Sequence, residues 1–382
     1  MRYQPRKWRT VAAAMIAFGA AVAAPAVAAA HPSRDGFVYV NDNAAGTNTV
    51  AAFVRHPDGG LTPVPGSPFN AGGAGSGAAL ASQGAIQVSS DGRYVLAVDA
   101  GSNEISVLRI GRDGALELVP GGVVPSGGAQ PVSVAEHDGL VYVANAGAAD
   151  SNYTGFALTD GGHLRPLAGS TIPLPATAQP GDVLFNRTGT SVIGTRVGTS
   201  QIDSFAVTSH GRLIPASGSP FAAQGVGPFG SEFRPTNPHQ LFVSNAHNAA
   251  GDGTVSAFRV ARDGTLSSIG NSPFADQQTA PCWVEISHDG AFLFTVNTGS
   301  GNISRYAIAP DGTLTLLGST QVSSQAGVGA VDARLSTNGR TLYVDESRLD
   351  SLGVFAVDGG QLTEQGTVAL PTGAAPAGVA VS

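Results

Sequence analysis

From Phe37 onward the chain is a series of short apolar runs separated by turn residues. Two kinds of run recur. One alternates strictly, as in Val255-Ser256-Ala257-Phe258-Arg259-Val260 and Ile303-Ser304-Arg305-Tyr306-Ala307-Ile308. Period-two alternation predicts a strand with one face buried. The other is denser: Phe37-Val38-Tyr39-Val40, Leu140-Val141-Tyr142-Val143, Leu241-Phe242-Val243 and Leu342-Tyr343-Val344. Asn, Asp or Gly usually follows these runs and closes a hairpin onto the alternating strand. A further strand opens each unit, as in Ile86-Gln87-Val88, Pro131-Val132-Ser133-Val134, Trp283-Val284-Glu285-Ile286 and Val331-Asp332-Ala333-Arg334-Leu335. No stretch after the first thirty residues carries a convincing helical period.

The alternating strand leads into a D-G-x-L turn, at Asp58, Asp113, Asp263 and Asp311, with variants ending at Leu164, Leu213 and Leu362. Asp-Gly between apolar runs is a hairpin signal because glycine accepts the positive φ of the turn. The seven leucines, Leu61, Leu116, Leu164, Leu213, Leu266, Leu314 and Leu362, lie 48 to 55 residues apart. A second column, Phe53, Leu108, Phe156, Phe205, Phe258, Tyr306 and Phe355, recurs with them. Seven four-stranded units (a, b, c, d) of about fifty residues predict an all-β, seven-bladed β-propeller. The first unit begins with strand b, and Pro376–Val381 resembles a lone strand a. The C-terminal strand is therefore expected to complete the first blade and close the ring, which removes two open sheet edges.

Composition agrees with a single large domain over 31–382: 42% hydrophobic residues supply a core, and 52 Gly and 24 Pro suit many tight turns. The first thirty residues differ. Arg2, Arg6, Lys7 and Arg9 precede an apolar run from Val11 to Ala24 and a small-residue stretch to Ala30. This is the layout of a secretory signal peptide, so export to the periplasm, cell envelope or medium is expected. Without these four basic residues, 16 Lys+Arg face 27 Asp+Glu, a charge near −11. That charge repels phosphate backbones, so nucleic acid is not an expected partner; nor is a membrane once the signal is removed, and a monomer is expected. Lys7 is the only lysine, which excludes Schiff-base and P-loop chemistry from 31–382. Cys282 is the only cysteine, so no internal disulfide forms. No histidine pair has zinc spacing, and Asp150, Asp252, Asp345 and Glu346, expected in loops, lack EF-hand spacing. No metal or cofactor is expected.

The units resemble those of the lactonase-family propellers, which include bacterial 6-phosphogluconolactonases and fungal carboxymuconate cyclases. Ser89-Ser90-Asp91-Gly92-Arg93-Tyr94-Val95, Gly101-Ser102-Asn103-Glu104-Ile105-Ser106-Val107 and the repeated D-G-x-L turn carry the likeness. It runs from Phe37 to Ser382 and implies a seven-bladed ring with ligands at the channel mouth. The family's hydrolases and cyclases carry G-P-R-H at the start of a middle blade and an Asn-Glu pair after its strand b. The matching residues here are Gly227-Pro228-Phe229-Gly230 and Asn245-Ala246, and Gln179-Pro180-Gly181-Asp182 stands where a P-H-x-H segment is expected. The resemblance thus implies either a relocated site or a ring that binds without that chemistry.

Strand a lines the channel of a propeller. Aligned on the turns that follow, one strand-a column holds Gln87, Leu184, Glu232, Glu285 and Arg334, and a second, two residues earlier, holds Asp182, Gly230, Trp283 and Asp332. Charge on an innermost strand must be paired or wet. Glu232 or Glu285 is the candidate general base on water, and Arg334 the partner of an anion or a developing oxyanion. The alternative is an ion-pair ring holding the blades in register. Asp182, Trp283, Asp332 and His247, the last in the b–c loop of a middle blade, are candidate substrate-binding residues. Two functions follow: a secreted lactonase-like enzyme that opens a lactone or runs a related cycloisomerisation, or a non-catalytic propeller that grips a small ligand or protein at its channel.

Overall fold

The computed structural model describes residues 36–323 and 329–382. The expected signal segment, 1–30, lies outside them. The strands form seven antiparallel sheets, each built in the order a–b–c–d. Blade two, for example, runs Ile86–Val88, Tyr94–Asp99, Glu104–Ile110 and Leu116–Pro125. Four blades add a two-residue edge piece beside strand c: Phe69–Asn70, Ile172–Pro173, Phe221–Ala222 and Phe274–Ala275. Among the described residues the single helical element is a 3-10 turn at Val197–Thr199.

The first blade is completed from the far end of the chain. Val38, Tyr39 and Val40 pair with Val381, Ala380 and Val379. This C-terminal strand also packs against the innermost strands of blade seven, Ala330–Leu335, and blade two, Ile86–Val88, so the seven innermost strands form a closed ring.

The repeated columns explain the packing. Phe53, Phe156, Phe205, Phe258, Tyr306 and Phe355 on strand c, with Leu108, are all buried. Each faces a strand-b aliphatic residue such as Val38, Val141 or Leu342. The D-G turns have a second duty besides reversing the chain: they take a donor from the preceding blade. Tyr142 Oη donates to Gly211 O at 2.8 Å, Ser204 Oγ to Gly264 O at 2.6 Å, Gln240 Nε2 to Pro310 O at 3.0 Å and Tyr343 Oη to Gly59 O at 2.9 Å. The last of these spans the seam between blades seven and one. Asp345 and Glu346, expected in a loop, instead end strand b of blade seven and are fully buried. The alternation that places Tyr343 in the core continues two residues further than turn composition indicated.

Candidate active site

Each innermost strand starts at the face where the chain enters a blade and ends at its a–b turn. The two ends of the channel, the entry face and the turn face, are built differently.

At the entry face the connection from blade one to blade two dips into the ring. The Gln83 backbone N–H donates to Gly181 O at 2.9 Å. Its side chain donates to Ser231 O at 3.0 Å and to Val284 O at 3.3 Å, and accepts from the Val284 N–H at 3.0 Å. Trp283 Nε1 donates to Ser82 O at 2.7 Å, and the Val134 N–H donates to Gly84 O at 2.8 Å. Residues 82–84 thus bond to blades three, four, five and six, and Ser82 and Gln83 are buried. This plug accounts for a departure seen in the sequence. A Cβ at Gly230 would lie 2.1 Å from Gln83 Oε1, so a side chain at position 230 and the plug exclude one another. Around it, Val197, Phe229, Ala246, Cys282 and Trp283 form one apolar cluster, with the Phe229 and Trp283 rings edge to face at 5.3 Å. Burial pushes the Cys282 thiol up to about 11 and keeps it neutral. The positions where the resemblance implies Arg, His and Glu are filled here by Phe229 and Ala246 and by the Gln83 side chain over Gly230.

Two residues further along the strands, toward the turn face, the expected column is present. Glu232 lies opposite Phe242, Glu285 opposite Phe294 and Arg334 opposite Tyr343. The ring brings these three together from blades five, six and seven. Arg334 Nη1 lies 3.2 Å from Glu285 Oε2 and 3.9 Å from Glu232 Oε2. The Glu285 side chain is 8% exposed, that of Glu232 20% and that of Arg334 30%, so solvent reaches the last two. Glu285 Oε1 also accepts the Leu335 N–H at 3.1 Å. Glu232 accepts no hydrogen bond from any described residue. Desolvation, reinforced by the Glu285 charge and opposed by Arg334, pushes the Glu232 carboxyl up to about 8. Glu285 is also raised by desolvation, with Arg334 and the Leu335 N–H opposing. Of the coupled pair, Glu232 is the better seat for a shared proton.

The remaining candidates lie apart from this triad in different degrees. Asp332 is buried beside Arg334; its Oδ1 takes the Ala333 N–H at 2.8 Å, and burial pushes it up to about 6 against the pull of Arg334 and of the Ala333 and Val379 N–H groups. Asp182 joins three blades. Its Oδ2 accepts from Ser231 N–H and Oγ at 3.0 and 2.6 Å, its Oδ1 accepts from Ser133 Oγ at 3.3 Å, and burial pushes it up to about 7. Trp283 is 4% exposed and packs beneath the plug. His247 is on the opposite face, in a cavity of about 230 Å³ shared with Ala81, Gln130, Gln179 and Val197. Sequence reading missed Gln83: an amide in a loop carries no signal until the loop is seen inside the ring. No group of three or more His, Cys, Asp or Glu among the described residues is arranged to hold a metal ion.

A family model described as lactonase, seven-bladed β-propeller, matches residues 35–185 and 190–377. Comparison with curated proteins returns no match. Among solved structures, a Bacteroides uniformis protein provisionally assigned as a 6-phosphogluconolactonase is 19% identical, with a TM-score of 0.72 over 91% of this chain and 100% of that one. A periplasmic gluconolactonase from Pseudomonas aeruginosa is 16% identical, with a TM-score of 0.72 over 91% of this chain and 98% of its own. A protein from Lactobacillus plantarum is 18% identical, with a TM-score of 0.71 over 91% and 99% of the two chains. At these identities the likeness is one of fold.

Proposed function

Because the chain belongs to the lactonase family of seven-bladed β-propellers, we propose that it opens a lactone ring at the turn face of its channel, with Glu232, Glu285 and Arg334 as the working groups. The observation that carries this reading is the Arg334 guanidinium held between two carboxylates, 3.2 Å from Glu285 and 3.9 Å from Glu232, with the Glu232 and Arg334 side chains partly exposed to water. Two carboxyls in unequal environments supply an acid and a base at neutral pH.

In this mechanism the Glu285 carboxylate accepts a proton from water as its oxygen bonds to the lactone carbonyl carbon. Arg334 faces the oxygen on which negative charge develops. The bond from that carbon to the ring oxygen then breaks, and the neutral Glu232 carboxyl protonates the leaving alkoxide. Transfer of the proton from Glu285 to Glu232 through solvent resets the pair. The product is the open hydroxy acid, and no further reactant is consumed.

The basic, apolar and small-residue start of the chain supports export. The P. aeruginosa structural neighbour is described as periplasmic, which fits a working place outside the cytoplasm. Base-consuming turnover of sugar and aliphatic lactones, followed by pH-stat, tests the activity. Glu232→Gln and Glu285→Gln are each expected to lower kcat by about 10²–10³-fold, and Arg334→Ala by about 10²-fold.

One observation favours a second reading, a ring that binds a small ligand without turning it over. Phe229, Gly230 and Ala246 replace the polar groups the family's enzymes use, and the plug occupies their space. Absence of turnover across the whole lactone panel selects this reading.

A further inference from the structure

At the entry face, the residue that precedes the innermost strand does the same backbone work in blades three to seven. Gln130, Gln179, Gly227, Ala280 and Gly329 all take a left-handed φ, between 45° and 66°. Their carbonyls accept the first N–H after strand b of the same blade, from Ala146, Val197, Ala246, Thr298 and Ser347, at 2.9 to 3.2 Å. That conformation favours glycine and penalises a side chain. The last three of these positions carry glycine or alanine. Only blades three and four, which are neighbours, place a long polar side chain there. Side chains held on a strained backbone gather at ligand contacts.

Both glutamines line the same space, the cavity of about 230 Å³ between blades three, four and five. Its apolar wall is Val132, Ala146, Pro180 and Val197, of which only Ala146 is not fully buried. Gln130, Gln179 and His247 are exposed at its rim. Neither glutamine amide has a hydrogen-bond partner among the described residues, and nor has the His247 ring. The space is that of about eight waters. An apolar wall with a few converging polar groups is the usual make-up of a small-molecule site.

Charge selects the ligand. No Asp, Glu, Lys or Arg is among the described residues that line the cavity. An ion entering it loses hydration without meeting a fixed opposite charge. An uncharged amide finds partners, because each glutamine offers one carbonyl acceptor and an NH₂ donor.

We infer that this entry-face cavity binds a small uncharged ligand, a flat apolar ring bearing a carboxamide or an equivalent donor–acceptor edge. The ring lies against Val132 and Val197, and Gln130 and Gln179 share the polar edge. The cavity is at the mouth opposite Glu232, Glu285 and Arg334, so the inference stands apart from the lactone-opening reading.

NMR titration of the purified protein with benzamide, benzoate and benzamidinium reads both place and charge, because the three share one shape. Benzamide is expected to bind with a Kd of about 1 mM and to shift the side-chain amide signals of Gln130 and Gln179. Benzoate and benzamidinium are expected to bind at least about tenfold more weakly. Gln130→Gly combined with Gln179→Gly removes both amides and suits the left-handed backbone, so the fold is kept. Benzamide is expected to bind this variant about fivefold more weakly. Ala146→Leu, which fills the cavity from its apolar wall, is expected to abolish the shifts. Absence of benzamide shifts at Gln130 and Gln179, equal or tighter binding of either ion, or full affinity in the double glycine variant overturns the inference. Lactone turnover is measured separately. Benzamide binding without turnover upholds the inference and overturns the lactonase reading; turnover without benzamide binding does the reverse.

Discussion

Trp283 Nε1 donates its hydrogen bond to the carbonyl of Ser82 at 2.7 Å, although 201 residues separate the two. This bond and the three made by the Gln83 side chain attach the plug to the far side of the ring. Gln83→Ala removes those three and leaves the Ser231 and Val284 backbone groups unpaired in the interior. It is expected to cost roughly 2–4 kcal/mol of stability. Trp8, in the segment 1–30, is the only other tryptophan. In protein that begins after that segment, urea unfolding followed by Trp283 fluorescence reads the cost directly. A loss under 1 kcal/mol would mean that the plug is not anchored as described.

The seam between the first and last blades is a second point of strain on stability. Tyr343→Phe removes one hydrogen bond, to Gly59 O, and is expected to cost about 1 kcal/mol. Deleting 379–382 exposes the edge of Gly36–Asn41 and strips the buried Val379 from the ring. Roughly 3–5 kcal/mol of apolar burial goes with it. Denaturation midpoints compared with the wild type check the order of the two effects.

Buried carboxyls reverse the usual pH dependence of an acidic protein. Burial holds Glu232 up to about 8, Asp182 and Asp42 to about 7 and Asp332 to about 6. The unfolded chain loses these protons near pH 4 to 4.5, so between there and pH 8 the native state binds more protons than the unfolded one. Stability from these groups is full below that range and is lost as pH rises through 6 to 8. The melting temperature is expected to be at least about 3 °C higher at pH 5.5 than at pH 8.5, and Glu232→Gln flattens the upper part of the profile. Under the proposed mechanism kcat/KM also falls above about pH 8, as Glu232 loses the proton it donates.

His247 distinguishes the two faces of the ring. It lines the cavity at the entry face, whereas the triad lies two strand residues beyond the plug. If chemistry occurs at the turn face, His247→Ala is expected to change lactone turnover less than about twofold while Glu232→Gln lowers it by about a hundredfold. The opposite ranking would return the chemistry to the face that the family's enzymes use.

The candidate column was legible because strand a alternates. Once the a–b turns are aligned, Glu232, Glu285 and Arg334 share a register, and residues sharing a register on innermost strands of a closed ring must point into the same channel. Their mutual distances were not legible, nor was the proton preference within the pair, since both depend on how far neighbouring strands tilt together. Asp182 and Trp283 were legible as channel-side positions but not in their roles. Asp182 spends its oxygens on Ser133 and Ser231, and Trp283 spends its N–H on Ser82.

Periodicity by itself determined that this chain is a seven-bladed ring closed by Val379–Val381. A repeat of about fifty residues with two complementary fragments at its ends has one way to bury its faces and pair its edges. Tertiary structure alone decided that residues 82–84 plug the entry end of the channel. Residues 82–84 form no strand, repeat nothing and differ little in composition from the other loops. They plug the ring because Gly230 leaves room for the Gln83 amide and because backbone groups of two blades, five and six, converge on it. A repeat encodes neighbours within a blade and between successive blades; a contact across the ring joins residues with no fixed spacing, and only the closed fold brings them together.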